Sequence, residues 1–375
     1  MTAISANPGR GVGQRMPLID ALKAVCSQLI VLHHLAFYGP MSDWTNLLVP
    51  DVVSWFSQYA RIAVQVFLVV GGFLAARSLA PDGVLLTTSV ARTLWQRYQR
   101  VVLPFVAALL VAMVCSEMAR AWMVHDSVPD APTLGQFLAH ALLLHSVFDV
   151  DSLSAGVWYV AIDFQLYVLL LALLWLARRG PAKRKVGAAL VAVLAVLSLL
   201  YFNLDSDWDV WALYFFGAYG LGALTHWANR PAADAPFLRY VAWLLVLAVA
   251  LLALALAFRE RLAVALSVAV VLGVAQRGQW LQRWPDSRVL GYFGKISYSV
   301  FLLNFPVALL VNALFTRFAP ADVWWQTLGV LLAWVACNVV GAVFYRWVEA
   351  PLGRWGRTAG TAGDTVTSGH AFNNR

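Results

Sequence analysis

The sequence predicts an all-α polytopic membrane protein with about ten transmembrane helices and both termini in the cytoplasm. Hydrophobic residues make up 61% of the 375 residues and charged residues only 12%, whereas a soluble domain carries roughly 25% charged residues. The hydrophobic residues are grouped into runs of about 17–25, the length that crosses a bilayer as a helix. The arginines and lysines fall mainly in alternate loops, which the positive-inside rule places in the cytoplasm.

Ten spans follow from these runs. They are predicted at 17–38, 56–77, 101–122, 157–177, 186–204, 209–227, 239–258, 262–276, 289–316 and 324–347. The first run is expected to be retained rather than cleaved as a signal peptide, because it contains Lys23 and paired histidines and no small-x-small site follows it. The tails at 1–16 and 356–375 are predicted to be disordered, which leaves 17–355 as one transmembrane domain.

The segment 134–148 is apolar but short, and it carries His140 and His145. If it crossed the membrane, the basic cluster at 178–185 would move to the outer side, against the positive-inside rule. We therefore predict an interfacial or re-entrant helix on the outer side rather than an eleventh span.

Composition argues against several other functions. A net charge of +8 would suggest nucleic-acid binding in a soluble protein, but here the excess lies in predicted cytoplasmic loops, so we expect no nucleic-acid partner. The cysteines Cys26, Cys115 and Cys337 each lie inside an apolar run, and none has the spacing of a metal ligand. We expect them to be buried small hydrophobic residues and predict no metal site.

The first predicted span carries a polar stripe. Asp20, Lys23, Ser27 and His34 fall within an arc of roughly 60° on a helix, and His33 points well away from it. Lys23 and His34 are separated by about 16 Å along the axis. Ionisable groups at bilayer depth are costly and by default suggest a functional site. A buried neutral imidazole can accept a proton from a hydroxyl group, so His34 is a candidate general base.

Two further groups of polar residues lie at or near predicted spans. Arg97 and Arg100 share a helix face before the third span, where they can bind a phosphate or diphosphate or serve as an anchor for topology and lipid headgroups. Tyr159, Asp163 and Tyr167 are four residues apart and share one face of the fourth span. A carboxylate at that depth must have a partner.

These segments, taken in order, resemble the acyltransferase-3 family of integral-membrane O-acyltransferases. The resemblance extends from about residue 17 to residue 355. The matching elements are Lys23 and His34 (Arg/Lys-x10-His), Phe67 to Phe73, Arg97 and Arg100 (Arg-x-x-Arg), Trp158 to Tyr167, Gly294 to Pro306, and Glu349 with Pro351 (Glu-x-Pro). This sequence departs from the family pattern at three positions: Gly71 replaces a serine, Asp163 a glutamate and Asn304 a histidine.

The resemblance implies that an acyl group, expected to be acetyl, passes from a cytoplasmic acyl-CoA to a hydroxyl of a cell-surface glycan or its lipid-linked precursor. It implies no permanently bound cofactor, since the acyl-CoA is a donor substrate, and a multi-pass location in a bacterial-type inner membrane. It also implies roles for nine residues: His34 and Asp163 in catalysis, Lys23, Arg97 and Arg100 in donor binding, and Trp158, Tyr167, Asn304 and Glu349 in substrate binding.

Two other functions remain open from the sequence. A transporter or exporter would also be polytopic, but the two halves of the chain have no obvious inverted symmetry. A catalytically inactive relative that binds acyl-CoA is the second alternative, because Asn304 cannot titrate and Gly71 lacks a hydroxyl group.

Overall fold

The computed structural model describes residues 15–87, 89–179, 183–229 and 236–354, and within them the chain is helical without any β-strand. Fourteen α-helices occur in these residues. They are α1 (Pro17–Phe37), α2 (Pro40–Leu48), α3 (Pro50–Tyr59), α4 (Ala63–Leu79), α5 (Val90–Trp122), α6 (Leu134–Ala141), α7 (Val157–Ala177), α8 (Lys183–Leu200), α9 (Ala212–Ala228), α10 (Pro236–Leu256), α11 (Glu260–Arg277), α12 (Trp280–Arg283), α13 (Arg288–Phe318) and α14 (Val323–Phe344).

The predicted class, an all-α polytopic membrane protein, is confirmed. Seven helical segments in the described residues are long and apolar enough to cross a bilayer. The count of ten crossings and the cytoplasmic position of both termini stay predictions. Most of the two tails predicted to be disordered lies outside the described residues.

Helix boundaries follow from capping residues. Ser89 caps α5 by accepting from the backbone N–H of Arg92, and Asp322 caps α14 by accepting from Trp324 and Trp325. Such side chains satisfy N–H groups that have no partner within the helix. The second predicted span is longer than expected, because α3, a 3₁₀ turn at Ala60–Ile62 and α4 form one segment over Pro50–Leu79.

The chain forms two compact units, and α1, α7 and α13 contribute residues to both of them. Among the described residues, the first unit contains 15–26, 62–87, 165–179, 183–229 and 236–295. In this unit α4 and α9 cross closely at two glycines: a Cβ on Gly72 would lie 1.9 Å from the carbonyl oxygen of Tyr219, and one on Gly222 would lie 2.0 Å from that of Val69. Gly72, in the second predicted span, therefore permits close backbone packing.

Among the described residues, the second unit contains 27–61, 89–164 and 296–354. In this unit α5 and α13 run in the same direction. Tyr298 Oη donates to the carbonyl oxygen of Val101 at 2.7 Å, and later residues of both helices, Phe105 on α5 and Phe301 on α13, line one cavity.

The segment between α5 and α7 folds back along α5. Arg120, near the end of α5, donates to the carbonyl oxygen of Pro129 at 2.6 Å, whereas Tyr98, near the start of α5, donates to that of Ala141 at 3.0 Å. Arg120 and Tyr98 are about 33 Å apart along the helix axis, so the segment runs back along α5. The helix α6 therefore ends beside the start of α5, and the prediction of an interfacial or re-entrant helix on the outer side stays a prediction.

The two histidines of this segment are buried and stacked. Their ring centroids are 4.1 Å apart and their planes differ by 6°. His140 Nδ1 donates to the carbonyl oxygen of Gln136 at 2.8 Å, and Nε2 accepts from the backbone N–H of Leu153 at 3.2 Å. Neither ring nitrogen of His145 has a hydrogen-bond partner among the described residues. Burial inside protein is what allows non-helical backbone at membrane depth.

Candidate active site

The second unit pairs His34 of α1 with Asn304 of α13. The two side chains are hydrogen-bonded through His34 Nδ1 and Asn304 Oδ1. Both are buried, with exposed fractions of 6% and 0%. The sequence predicted both residues for the site, and the structure brings them together across 270 positions of sequence.

The amide of Asn304 determines which nitrogen of His34 is free to accept a proton. Asn304 Nδ2 donates to the carbonyl oxygens of Val300 and Phe301 at 3.1 and 2.7 Å, so its Oδ1 faces His34 as an acceptor. His34 Nδ1 must then carry the hydrogen, and Nε2 is the basic nitrogen. The geometry assigns this tautomer through the amide orientation.

Aromatic rings enclose the pair. Tyr38, one turn beyond His34 on α1, meets the imidazole edge-on with ring centroids 5.5 Å apart. Phe305 lies 6.3 Å from His34 and 5.0 Å from Tyr38, also edge-on. Cys337 of α14 donates from Sγ to the carbonyl oxygen of Asn304 at 3.3 Å. The site is therefore a largely apolar enclosure around one imidazole.

His33 has a different environment from His34. Its Nδ1 lies 3.1 Å from the carbonyl oxygen of Phe56 on α3, and a carbonyl can only accept. His33 therefore donates to α3, as expected for a side chain that points away from the polar stripe.

Arg97 and Asp163 form an ion pair in the same unit. Arg97 Nη2 lies 2.5 Å from Asp163 Oδ2, and their side chains are 24% and 14% exposed. Asp163 thus has the partner that a carboxylate in a span requires, but this partner is Arg97. The hydrogen-bond partner of His34 Nδ1 is Asn304, so orientation of the imidazole falls to Asn304 rather than to Asp163.

Arg100 follows Arg97 on α5 and is exposed, so the two arginines differ in environment although they share a helix face. Arg97 precedes Val101 by about 6 Å along α5, and Asn304 follows Tyr298 by about 9 Å along α13. Since Tyr298 bonds to Val101 and the two helices run in the same direction, Arg97 precedes the His34–Asn304 pair by about 15 Å along that direction, and Arg100 precedes it by about 10 Å.

The other predicted site residues are dispersed. Glu349 lies in a π-helical turn, Tyr345–Glu349, and accepts from Ser299 Oγ at 2.5 Å. Trp158, at the start of α7, is 38% exposed. Lys23 and Tyr167 belong to the first unit, and Tyr167 is buried there. The structure does not test the roles predicted for these residues.

The structure adds site residues that the sequence analysis did not single out. Tyr38 could have been found, because it follows His34 by four residues and so shares its helix face. Phe305 lies next to Asn304, but only the fold brings its ring to the imidazole. Among the described residues, no group of three or more His, Cys, Asp or Glu side chains is arranged to hold a metal ion.

The fold and this site define a multi-pass membrane protein with a buried, oriented histidine on its first span. The family model for the acyltransferase domain, Acyl_transf_3, matches residues 17–345, nearly the entire chain. The chain therefore belongs to the acyltransferase-3 family and is a membrane acyltransferase. No curated protein and no solved structure matches it.

Proposed function

We propose that this membrane acyltransferase moves an acyl group from acyl-CoA to a hydroxyl group of a cell-surface glycan or its lipid-linked precursor, with His34 as the general base. The observation that carries the proposal is the hydrogen bond between His34 and Asn304. It fixes the ring and leaves Nε2 as the nitrogen that can accept a proton.

The proposed reaction balances with one base. His34 Nε2 takes the proton of the acceptor hydroxyl while the hydroxyl oxygen attacks the thioester carbonyl carbon. A carbon–oxygen bond forms and the carbon–sulfur bond breaks. The CoA thiolate then receives the proton from His34, which restores the neutral imidazole. Asn304 accepts from Nδ1 throughout and stabilises the imidazolium intermediate, because its amide oxygen remains an acceptor.

The donor phosphates are proposed to bind at Arg97 and Arg100. A guanidinium group binds phosphate in a bidentate geometry, and the separations of about 10 to 15 Å from the histidine are ones that an extended pantetheine arm can cover. Arg97 shares its charge with Asp163, so we expect Arg100 to contribute more of the phosphate affinity. Lys23 is kept as a predicted donor-binding residue from its sequence position alone.

Glycan mass spectrometry tests the proposal. The samples are the host, a deletion strain, and the deletion strain complemented with the wild type, His34→Ala or His33→Ala. We expect deletion to remove one acyl mass increment, and the wild type and His33→Ala to restore it. His33→Ala is a matched control, because it removes a neighbouring buried histidine that donates to α3.

His34→Ala should insert normally and restore nothing, since a general base contributes roughly 10²–10⁴-fold to the rate. Immunoblots of the membrane fraction verify that each protein is present. An increment restored by His34→Ala would overturn the role of His34. A glycan that is unchanged by deletion, in a strain that expresses the protein, would overturn acyl transfer to glycans.

A further inference from the structure

A polar cleft lies in the second unit, where α1 ends and α2 and α3 follow it. Its volume is about 510 Å³, which is within the range of about 300–1,000 Å³ that is usual for ligand sites. The lining is mostly hydrophilic, so the cleft suits a polar ligand rather than an apolar one. The polar residues of the lining are Ser42, Asp43, Asn46, Asp51, Ser54 and Ser57.

These side chains offer both hydrogen-bond acceptors and donors. The carboxylates of Asp43 and Asp51 are exposed and can only accept. Ser54 Oγ accepts from Gln58 Nε2 at 2.8 Å, which leaves the Ser54 hydroxyl hydrogen to donate. The exposed amide of Asn46 can do both. A ligand with several hydroxyl groups matches this mixture, because each hydroxyl group donates one hydrogen bond and accepts others.

The charge of the cleft favours an uncharged ligand. The two charged residues of its lining, Asp43 and Asp51, are both carboxylates. His125 Nε2 lies 3.8 Å from Asp43 Oδ2 and offsets that charge only when it is protonated. A carboxylate or phosphate group in the cleft would be placed against like charges, which disfavours a binding partner. The cleft therefore selects for neutral polyhydroxyl groups, of which sugars are the common biological class.

The cleft and the proposed donor-binding arginines lie on opposite sides of the His34–Asn304 pair along the helices. The backbone N–H of Met41, at the start of α2, donates to Asn312 Oδ1 at 3.0 Å. Asn312 follows Asn304 by about 12 Å along α13, whereas Arg97 precedes the pair by about 15 Å. An acceptor that binds at the cleft therefore approaches the proposed base from the end opposite to the donor phosphates.

We propose that the cleft binds a neutral sugar unit of the acceptor, next to the unit that receives the acyl group. This inference rests on the proposed function. Ala36, which lines the cleft, follows His34 by two residues, so the two side chains point to nearly opposite sides of α1. The cleft is therefore a neighbouring subsite rather than the place of reaction. A helix diameter of roughly 10–12 Å separates the two sides of α1, a distance that a short stretch of glycan covers.

Initial rates of the purified full-length protein in detergent test the subsite. The acceptor is the non-acylated glycan from the deletion strain, acetyl-CoA is saturating, and mass spectrometry measures acylation. Asp51→Asn should raise KM for the glycan by about 10-fold, as expected for the loss of a hydrogen bond to a charged group, and Asn46→Ala by about 5-fold. Both variants should keep kcat within about 3-fold of the wild type, because neither residue touches the reacting atoms.

Asp130→Asn is the matched control for Asp51→Asn. Asp130 is an exposed carboxylate beyond the end of α5 and is not part of the cleft lining, so the same loss of charge should leave KM within about 2-fold of the wild type. Asp51 lies in the first turn of α3. If Asp51→Asn does not accumulate in the membrane, Ser54→Ala removes a hydroxyl group from the cleft and should raise KM by about 3-fold.

A second test addresses the selection for neutral sugars. The same glycan is compared before and after oxidation of part of its primary hydroxyl groups to carboxylates. The wild type should have a KM for the oxidised glycan that is about 10-fold higher, because like charges meet in the cleft. The double variant Asp43→Asn/Asp51→Asn should reduce this difference to about 3-fold or less, whereas Asp130→Asn should keep it.

The neutral sugar unit can belong to the finished glycan or to a lipid-linked precursor, and parallel reactions distinguish these sources. One reaction contains the purified glycan and the other the lipid extract of the deletion strain, which supplies the precursor. The source that the wild type acylates is the one that occupies the cleft, and Asn46→Ala should impair its acylation at low acceptor concentration.

The outcomes separate this inference from the proposed function. A wild type that acylates neither the glycan nor the lipid extract contradicts the proposed function itself. A wild type that acylates one of them, with cleft variants whose KM equals that of Asp130→Asn, contradicts only the subsite, and a cleft that holds just solvent would give this result. An oxidised glycan with the KM of the native one overturns the selection for neutral sugars.

Discussion

We predict that the stacked histidines of the segment between α5 and α7 make the stability of the protein sensitive to acid. Burial, followed by the neighbouring His140, lowers the pKa of His145 from its ordinary value of 6.5 to about 4. The folded state therefore holds His145 neutral, whereas the unfolded chain binds a proton as the pH falls below about 6.5. Stability is fully present above that pH and declines towards pH 4.

The size of the effect follows from the pKa difference. One pKa unit corresponds to about 1.36 kcal/mol, so the lowered pKa of His145 predicts a loss of about 3 kcal/mol of unfolding free energy between pH 7 and pH 4. His145→Phe keeps a ring against His140 and removes the titrating group. The variant should lose about 3 kcal/mol less than the wild type over the same range.

Thermal unfolding of the purified full-length protein in detergent, recorded from pH 8 to pH 4, measures this difference. At pH 8 His145 is neutral, so the comparison of the wild type with His145→Phe at this pH isolates the packing effect of the substitution. A wild type and a His145→Phe variant with parallel stability curves across the whole pH range would refute the reasoning, since the pH dependence would then arise elsewhere.

Three further predictions concern the candidate active site. Asn304→Ala should lower kcat by about 10–100-fold, because His34 Nδ1 loses a buried acceptor worth about 1–3 kcal/mol. Asn304→His again supplies an acceptor and should recover part of that activity in the glycan assay. Arg100→Gln should raise KM for acetyl-CoA by about 10-fold with little change in kcat, as the loss of a charge-assisted phosphate contact requires; an unchanged KM would remove Arg100 from the donor site. Asp163→Asn should lower the melting temperature, because Arg97 keeps its charge in a partly buried position without its anionic partner, and a melting temperature equal to that of the wild type would show that the ion pair is not stabilising.

The choice of residues was largely predictable from sequence, but their pairings were not. His34, Asp163 and Asn304 carry polar groups inside apolar runs, which marks them because such groups are costly in a membrane, and Arg97 lies just before such a run. The resemblance implied that Asp163 acts with His34 in catalysis. The structure instead bonds His34 to Asn304 and Asp163 to Arg97.

The segment between α5 and α7 illustrates the same limit. Its short length and the basic cluster at 178–185 argued against a further span, and both an interfacial and a re-entrant helix agreed with these observations. The contacts of Tyr98 with Ala141 and of His140 with Leu153 show that the segment folds back along α5. They depend on the path of the chain after α5, which no local pattern encodes.

The sequence by itself determined the class of the protein, the positions of most long helices and the polar residues that lie inside its apolar segments. These features depend on the transfer of each segment from water to lipid, which is a local property of composition and length. Only the tertiary structure decided which polar groups satisfy one another and which nitrogen of His34 is basic. Hydrogen bonds and packing voids join atoms from distant parts of the chain, so their geometry exists only once the helices have packed.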